Sequence, residues 1–172
     1  HNIFFSEDYQ REFEQIHRFR SIPIDPTIYI NITSKLTASD APKGQENWFV
    51  LVNAPVHDGR DWTDELKQTR MHIVNRLSTL LGFDLEHHII AESSWTPQDI
   101  EQETGSHRGS LYGISSNSRM AAFLRHPNWS KRYPNLYFCG GSVHPGGGMP
   151  LSTLSGMIGA DLLLKKEGHR WA

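Results

Sequence analysis

The residues with most to offer chemically lie together near the C-terminal end. Leu136-Tyr137-Phe138-Cys139 is a short apolar run of strand type, and Gly140-Gly141-Ser142-Val143-His144-Pro145-Gly146-Gly147-Gly148 follows as a loop. From Pro150 onward the pattern reads as a helix ending in Lys165, Lys166 and Gly168. A strand, a glycine loop and a helix start in that order can bring backbone close to a ligand. Glycine puts no Cβ in the way, its N–H groups are open, and the helix N-terminus adds the positive end of its dipole. The design suits a flat or phosphorylated cofactor. A bare glycine loop after a strand is more often an ordinary tight connection, and it is the length of this one and its prolines that favour a site. Ser152, Gly156 and Gly159 fall at i, i+4 and i+7 of the helix, giving a face with little bulk that a sheet, another backbone or a cofactor ring could approach.

Other reactive residues are weaker candidates. His144 titrates near neutrality in its unperturbed state, at about 6.5, and is the one catalytic candidate; the competing reading is that it shapes the loop through hydrogen bonds. Ser142 lacks the Gly-x-Ser-x-Gly elbow of serine hydrolases. Cys139 reads as a buried strand residue and is the only cysteine, so no internal disulfide or Cys-x-x-Cys pair is available. His87 and His88, placed on a strand, would point to opposite faces and make poor joint ligands. With ten histidines and no pair spaced i, i+4, no metal site is expected. Tyr29, Trp48, Phe49 and Trp95 could line a channel for an apolar ligand, and core packing explains them equally well.

The elements that must position these residues follow from periodicity. Ile3-Phe4-Phe5 reads as a strand; Ser6 is a helix N-cap candidate, with Tyr9, Phe13 and Ile16 at helical spacing behind it. Ile28, Ile30 and Ile32 alternate with Tyr29 and Asn31, which predicts a half-buried strand over 27–33. Residues 40–44 make a turn, and Trp48-Phe49-Val50-Leu51-Val52, with no polar alternation, reads as a central strand covered on both faces of an antiparallel sheet. A helix capped by Asp61 carries Trp62, Leu66, Ile73, Leu77 and Leu80 on one stripe and ends at Gly82. A strand over 85–95, a helix opened by Thr96-Pro97 and a looped stretch over 105–118 complete the reading.

Composition narrows the function classes. A chain of 172 residues, 37% hydrophobic with net charge −2, is a globular chain of one core or two small ones. Acidic and basic residues are interspersed without a basic stripe, which argues against nucleic acid as a partner. No run approaches the roughly 20 apolar residues of a membrane span, and the first residues do not form a secretory signal. The expectation is a cytoplasmic protein, with any membrane contact peripheral. The start at His1, without methionine and directly into an apolar run, suggests a piece of a longer chain.

The string from Asn135 to Leu151 closely resembles the C-terminal signature of the phytoene desaturase family, FAD-dependent flavoproteins related to the amine oxidases. Its Gly-Gly-Ser-Val-His-Pro-Gly form looks most like members acting on hydroxylated carotenoids. Residues 1–6 resemble the family's strand before the substrate-domain helix. Ser94-Trp95-Thr96-Pro97-Gln98-Asp99 resembles its Thr-Pro-x-Asp segment, and residues 105–110 fall where the family carries a loop running back toward the cofactor domain.

The resemblance implies a mixed α/β (α+β) fragment of a two-domain FAD/NAD(P)-binding flavoprotein. Residues 1–110 would belong to the substrate-binding domain, and residues 111–172 would form the returning strand, loop and helix of the FAD-binding domain. The Gly-x-Gly-x-x-Gly fingerprint of the Rossmann portion is absent from this chain, so tight FAD binding by the chain alone is not expected. Carried over residue by residue, Gly140 and Gly141 would lie near the ribityl and pyrophosphate and Met149, Pro150 and Leu151 beneath the flavin pyrimidine ring, with Ser142 and Gly148 also among the cofactor-binding residues. The implied reaction removes two hydrogens from a saturated carbon pair of a long hydrophobic polyene, extending its conjugation. The rivals are a related polyene saturase or isomerase, and a non-catalytic module binding a hydrophobic ligand or partner.

Overall fold

The computed structural model describes residues 1–113 and 125–168, a mixed α/β chain with four α-helices and one three-stranded antiparallel sheet among the described residues. The chain divides into two compact units, the second beginning at Asp99. The expected stretch 105–118 is therefore described only to Gly113; it is irregular there, with one 3-10 turn at His107–Gly109.

In the first unit, strand β1 (Asn2–Phe4) leads into helix α1 (Tyr9–Glu14). The N-cap is Asp8, whose carboxylate accepts from the Arg11 N–H at 2.9 Å, and not Ser6 as the spacing predicted. Ser6 is buried and donates instead to Glu12. A π-helical turn (Gln15–Phe19) extends α1 until Arg20, in the left-handed region, stops it. Strand β2 (Ile28–Asn31) shows the expected alternation, with Ile28 and Ile30 buried.

Strand β3 (Phe49–Val52) pairs with β2 in the order β1-β2-β3, Tyr29 standing opposite Ile3 on one side and Leu51 on the other. The antiparallel sheet is as expected, but its centre is β2. β3 has no second partner among the described residues and exposes Phe49 (58%) and Leu51 (45%), so it is an outer strand and not one covered on both faces. An unbroken apolar run reports hydrophobicity, and the order of strands depends on pairing partners that hydrophobicity does not encode.

Helix α2 (Thr63–Leu81) supplies the other half of the core. Asp61 accepts from the Thr63 N–H and hydroxyl one residue before the N-cap position, and Gly82, at φ 75°, closes the C-terminus as predicted. Ile28, Ile30, Val74, Leu77 and Leu85 form one buried cluster, with Phe4, Trp48, Val52 and Ile73 packed on it. Leu80, assigned to the buried stripe, is 54% exposed, because the cluster ends at Leu77 where Leu85 closes it.

The segment expected as a strand over 85–95 is not one. It makes a 3-10 turn at Glu86–His88 and then runs irregularly, tied to α2 by Arg70, whose guanidinium contacts both Glu86 and Glu92. His87 and His88 accordingly do not alternate across a sheet: the ring of His87 meets the Asp84 carboxylate at 2.7 Å and that of His88 the Asp84 carbonyl at 2.8 Å.

Two polar side chains fasten this unit. Glu12 is only 1% exposed; its carboxylate accepts from the Ser6 hydroxyl, the Thr27 N–H and hydroxyl, and the Asn53 amide. Burial pushes its pKa up, and the bonds from Thr27, Ser6 and Asn53 together outweigh burial and hold it below the ordinary carboxylate value. Arg76 on α2 donates to the Asp25 carboxylate and to the Pro26 and Phe5 carbonyls.

Helix α3 (Pro97–Thr104) starts on Pro97 as predicted, behind a buried Thr96. Helix α4 (Met149–Lys166) begins one residue before Pro150. The apolar run 136–139 makes a single antiparallel bridge, Tyr137 with Trp129, in place of a strand. A strand needs a ladder of partners, and the backbone bonds across this run, Ser130 N–H to the Leu136 carbonyl and Phe138 N–H to the Asn128 carbonyl, reach only the short 128–130 segment.

Candidate glycine-loop site

The loop between Cys139 and α4 is held from inside by two buried polar residues that the sequence reading did not single out. Asn128 is 5% exposed, and its amide nitrogen lies 3.2 Å from the Phe138 carbonyl, 3.0 Å from the His144 carbonyl, 3.2 Å from the Ser155 carbonyl and 3.0 Å from the Ser155 hydroxyl. Ser155 is fully buried, and its hydroxyl also accepts the Gly140 N–H at 3.1 Å. An amide carries two N–H donors, so the four acceptors share them. Backbone bonds parallel this node: Phe138 N–H to the Asn128 carbonyl and His144 N–H to the His126 carbonyl, both 2.9 Å. A lone asparagine and a mid-helix serine carry no periodic signal, and only the fold brings residues 128, 138, 144 and 155 together.

The helix face that contacts the loop keeps Ser152 and Gly159 from the face read from spacing, with Ser155 in place of Gly156. Ser155 and Gly159 are buried, and a Cβ on Gly159 would meet the Phe138 carbonyl oxygen at 3.7 Å. Gly156 would meet nothing within 4 Å, so it is not part of the close approach. A Cβ on Gly141 would meet the Ser152 hydroxyl at 3.4 Å, which keeps Ser152 in the contact.

Glycine is required at defined points. Gly140, Gly146 and Gly148 have φ of 115°, 140° and 98°, a region that side chains with a Cβ enter only under strain. The His144–Pro145 peptide is cis. A Cβ on Gly147 would lie 2.7 Å from the Tyr112 ring, and one on Gly113 would lie 3.1 Å from Ser142. The 110–113 segment therefore lies directly on the loop, and the Arg125 guanidinium donates to the Tyr112 carbonyl at 2.8 Å.

The predicted cofactor residues Gly140, Gly141, Ser142, Gly148, Met149, Pro150 and Leu151 lie on the loop and the first turn of α4, Gly140 and Gly141 half-buried and the other five exposed. Beside Gly140 and Gly148 the space a Cβ would occupy is empty to 4 Å, and Met149 (86% exposed) and Leu151 (42%) present apolar side chains at the helix start. Gly148 offers no side-chain cap, and Pro150 has no N–H to satisfy. Open glycine backbone beside an uncapped helix end and apolar side chains fits one wall of a flavin site. His144 is exposed and contributes its backbone N–H and carbonyl to the node just described. Cys139 is exposed, against the expectation of burial, because the chain at this point forms no strand.

The aromatic residues considered as a channel lining are in the first unit. Tyr29 and Phe49 meet edge to face at 6.5 Å on the outer side of the sheet, Trp48 packs on the core, and Trp95 is 60% exposed. Among the described residues no group of three or more His, Cys, Asp and Glu side chains is placed to hold a metal, and no helix is long and apolar enough to cross a membrane.

No family model matches the chain. Among curated proteins it is 52% identical over 163 residues to a 1-hydroxycarotenoid 3,4-desaturase of Flavobacterium sp. (strain P99-3), an alignment covering 95% of the chain and 33% of that protein. It is 40% identical over 168 residues to a 4,4'-diaponeurosporene oxygenase of Staphylococcus aureus (strain USA300), covering 97% of the chain and 34% of that protein. A Staphylococcus haemolyticus protein of the same name is 39% identical over 162 residues. The chain is thus homologous to carotenoid desaturases and oxygenases along nearly its whole length, and it spans about a third of the length of these relatives.

Proposed function

We propose, from this homology to carotenoid desaturases and oxygenases, that the chain is the part of an FAD-dependent carotenoid oxidoreductase that carries the returning segment, glycine loop and helix of the cofactor domain and part of the substrate domain. The reaction is desaturation of a hydroxylated carotenoid, C–C to C=C. The observation that carries this reading is 52% identity along 163 residues to a protein named for that reaction. When bound, the flavin supplies the two-electron oxidising capacity.

The residues of this chain do the holding. Gly140 and Gly148 would let the cofactor approach backbone where a Cβ would stand, Gly141 and Ser142 would continue that wall, and Met149, Pro150 and Leu151 would offer it apolar surface. The free end of α4 would hold an electron-rich edge of the cofactor through its positive dipole. A polyene has no ionisable group, so the protein's task toward it is orientation and exclusion of water. The outward row Ile3, Tyr29 and Leu51, with Phe49 beside it, offers an uncharged surface of suitable chemistry. His144 remains the candidate for any proton movement, being the exposed titratable group of the loop.

The test is to incubate the protein purified from its own coding sequence with FAD and a 1-hydroxycarotenoid. Desaturation moves the carotenoid absorption to longer wavelength and lowers its mass by two hydrogens. Movement to shorter wavelength would assign a saturase, and a gain of oxygen the second reading, an oxygenase, which the two staphylococcal relatives favour by name. An unchanged carotenoid with no retained FAD would leave a binding module.

A further inference from the structure

We propose that Asn128 and Ser155 are positioning residues that fix the glycine loop on α4 in the shape its cofactor contacts need, an inference that rests on the loop being the flavin wall. Neither side chain reaches the loop's exposed surface: Asn128 is 5% exposed and Ser155 is fully buried. What they hold is backbone on both sides of Gly140 and Gly141. The Phe138 carbonyl precedes Gly140, the His144 carbonyl follows Ser142, and Ser155 sits one and a half turns into α4; the Asn128 amide donates to all three. The Gly140 N–H is consumed by the Ser155 hydroxyl, which turns the Gly140 peptide inward and leaves its Cα side open.

Hydrogen-bond direction makes the node specific. Three of the four acceptors of Asn128 are carbonyl oxygens, which cannot donate, so only an NH2 group satisfies them together. Leucine would leave buried carbonyls unpaired, and an ionised aspartate would set a carboxylate against them, each a disruption out of proportion to its change in volume. The loop's positive-φ glycines have little preference of their own for this shape. The node therefore selects one conformer from many, and a site made of backbone depends on that selection.

The experiment measures backbone amide hydrogen exchange in the 172-residue chain, with FAD retention by the protein purified from its own coding sequence as a second reading. Ser155→Ala raises exchange at Gly140 at least about fivefold, the factor equivalent to one hydrogen bond of about 1 kcal/mol. Asn128→Asp raises exchange at Phe138 and His144 by at least as much. Its effect relative to the unsubstituted chain shrinks as pH falls far enough to protonate the new carboxyl and return one donor. Trp129→Phe, which removes only the bond from the exposed Trp129 ring to the Pro134 carbonyl, leaves all three amides unchanged. Exchange at Leu162, in α4 of the second unit and away from the node, identifies a variant whose second unit is unfolded, in which case Ser155→Ala, the smaller change, decides. Retained FAD falls at least fivefold in both node variants.

Unchanged exchange at Gly140, Phe138 and His144 in folded variants overturns the positioning role. Faster exchange with undiminished FAD shows a node that shapes the loop without serving the cofactor, and overturns the proposal too. Absence of FAD from the unsubstituted protein is a different result and sinks the flavin reading beneath it.

Discussion

At the scale of single residues, two kinds of glycine and one buried acid make predictions. Gly148 stands at φ 98° at the start of α4, so Gly148→Ala costs about 1–3 kcal/mol in strained backbone. Gly156 is an ordinary helical glycine with empty space around it, so Gly156→Ala stabilises the same helix by up to about 1 kcal/mol. Urea denaturation followed by helical ellipticity checks both, and equal effects at the two positions would contradict the loop geometry. Glu12 is an anion held by neutral donors. Its folded pKa lies below the ordinary value of about 4.3. The stability it contributes is therefore complete above that ordinary value and is lost as pH falls through the lower folded one. Glu12→Gln removes this acid-side slope and costs about 1–3 kcal/mol at neutral pH, because an NH2 group then faces the Thr27 and Ser6 donors. Denaturation curves for both proteins between pH 3 and 7 give the comparison.

At the scale of elements, α2 carries the first unit. Leu77 is 1% exposed at the centre of the core cluster, and Leu77→Ala removes packing worth about 2–5 kcal/mol. Leu80→Ala, on the same predicted stripe and 54% exposed, stays within about 0.5 kcal/mol. The midpoint of urea unfolding separates them, and similar losses would mean that the helix is rotated from the placement described. The amphipathic pattern identified the helix and its Gly82 stop because both are local properties of the chain. It did not identify where burial ends along the stripe, since that depends on Leu85 arriving from another segment. The 85–95 stretch is the same lesson reversed: its apolar residues suggested a strand, and contacts from Arg70 to Glu86 and Glu92 hold it along α2 instead.

For the molecule as a whole, apolar surface is the conspicuous feature. Ile3, Phe49 and Leu51 are exposed on the sheet, and Met149, Leu154 and Met157 on α4. Exposed apolar side chains on an outer strand and on a helix favour association. The 172-residue chain therefore self-associates as its concentration rises, and Leu51→Lys, on the outer strand, lowers that association without altering the unfolding free energy by more than about 0.5 kcal/mol. Sedimentation velocity over a concentration series is the measurement. Monomers at every concentration would show that the exposed rows do not cohere.

What the sequence determined alone was mostly local: β1 and β2, the starts of α3 and α4, the antiparallel pairing, and the glycine string whose resemblance to carotenoid desaturases the comparisons bear out. These are readable because turn chemistry, capping and periodicity act within a few residues, and because a string as long as 135–151 is specific by its length. Tertiary structure decided which strand is central, which helix face meets the loop, and that Cys139 is exposed. It alone revealed Asn128 and Ser155, residues 27 apart in the chain whose amide and hydroxyl meet at 3.0 Å. Each of these depends on segments distant in sequence, and a buried hydrogen bond becomes legible only when both partners have been placed.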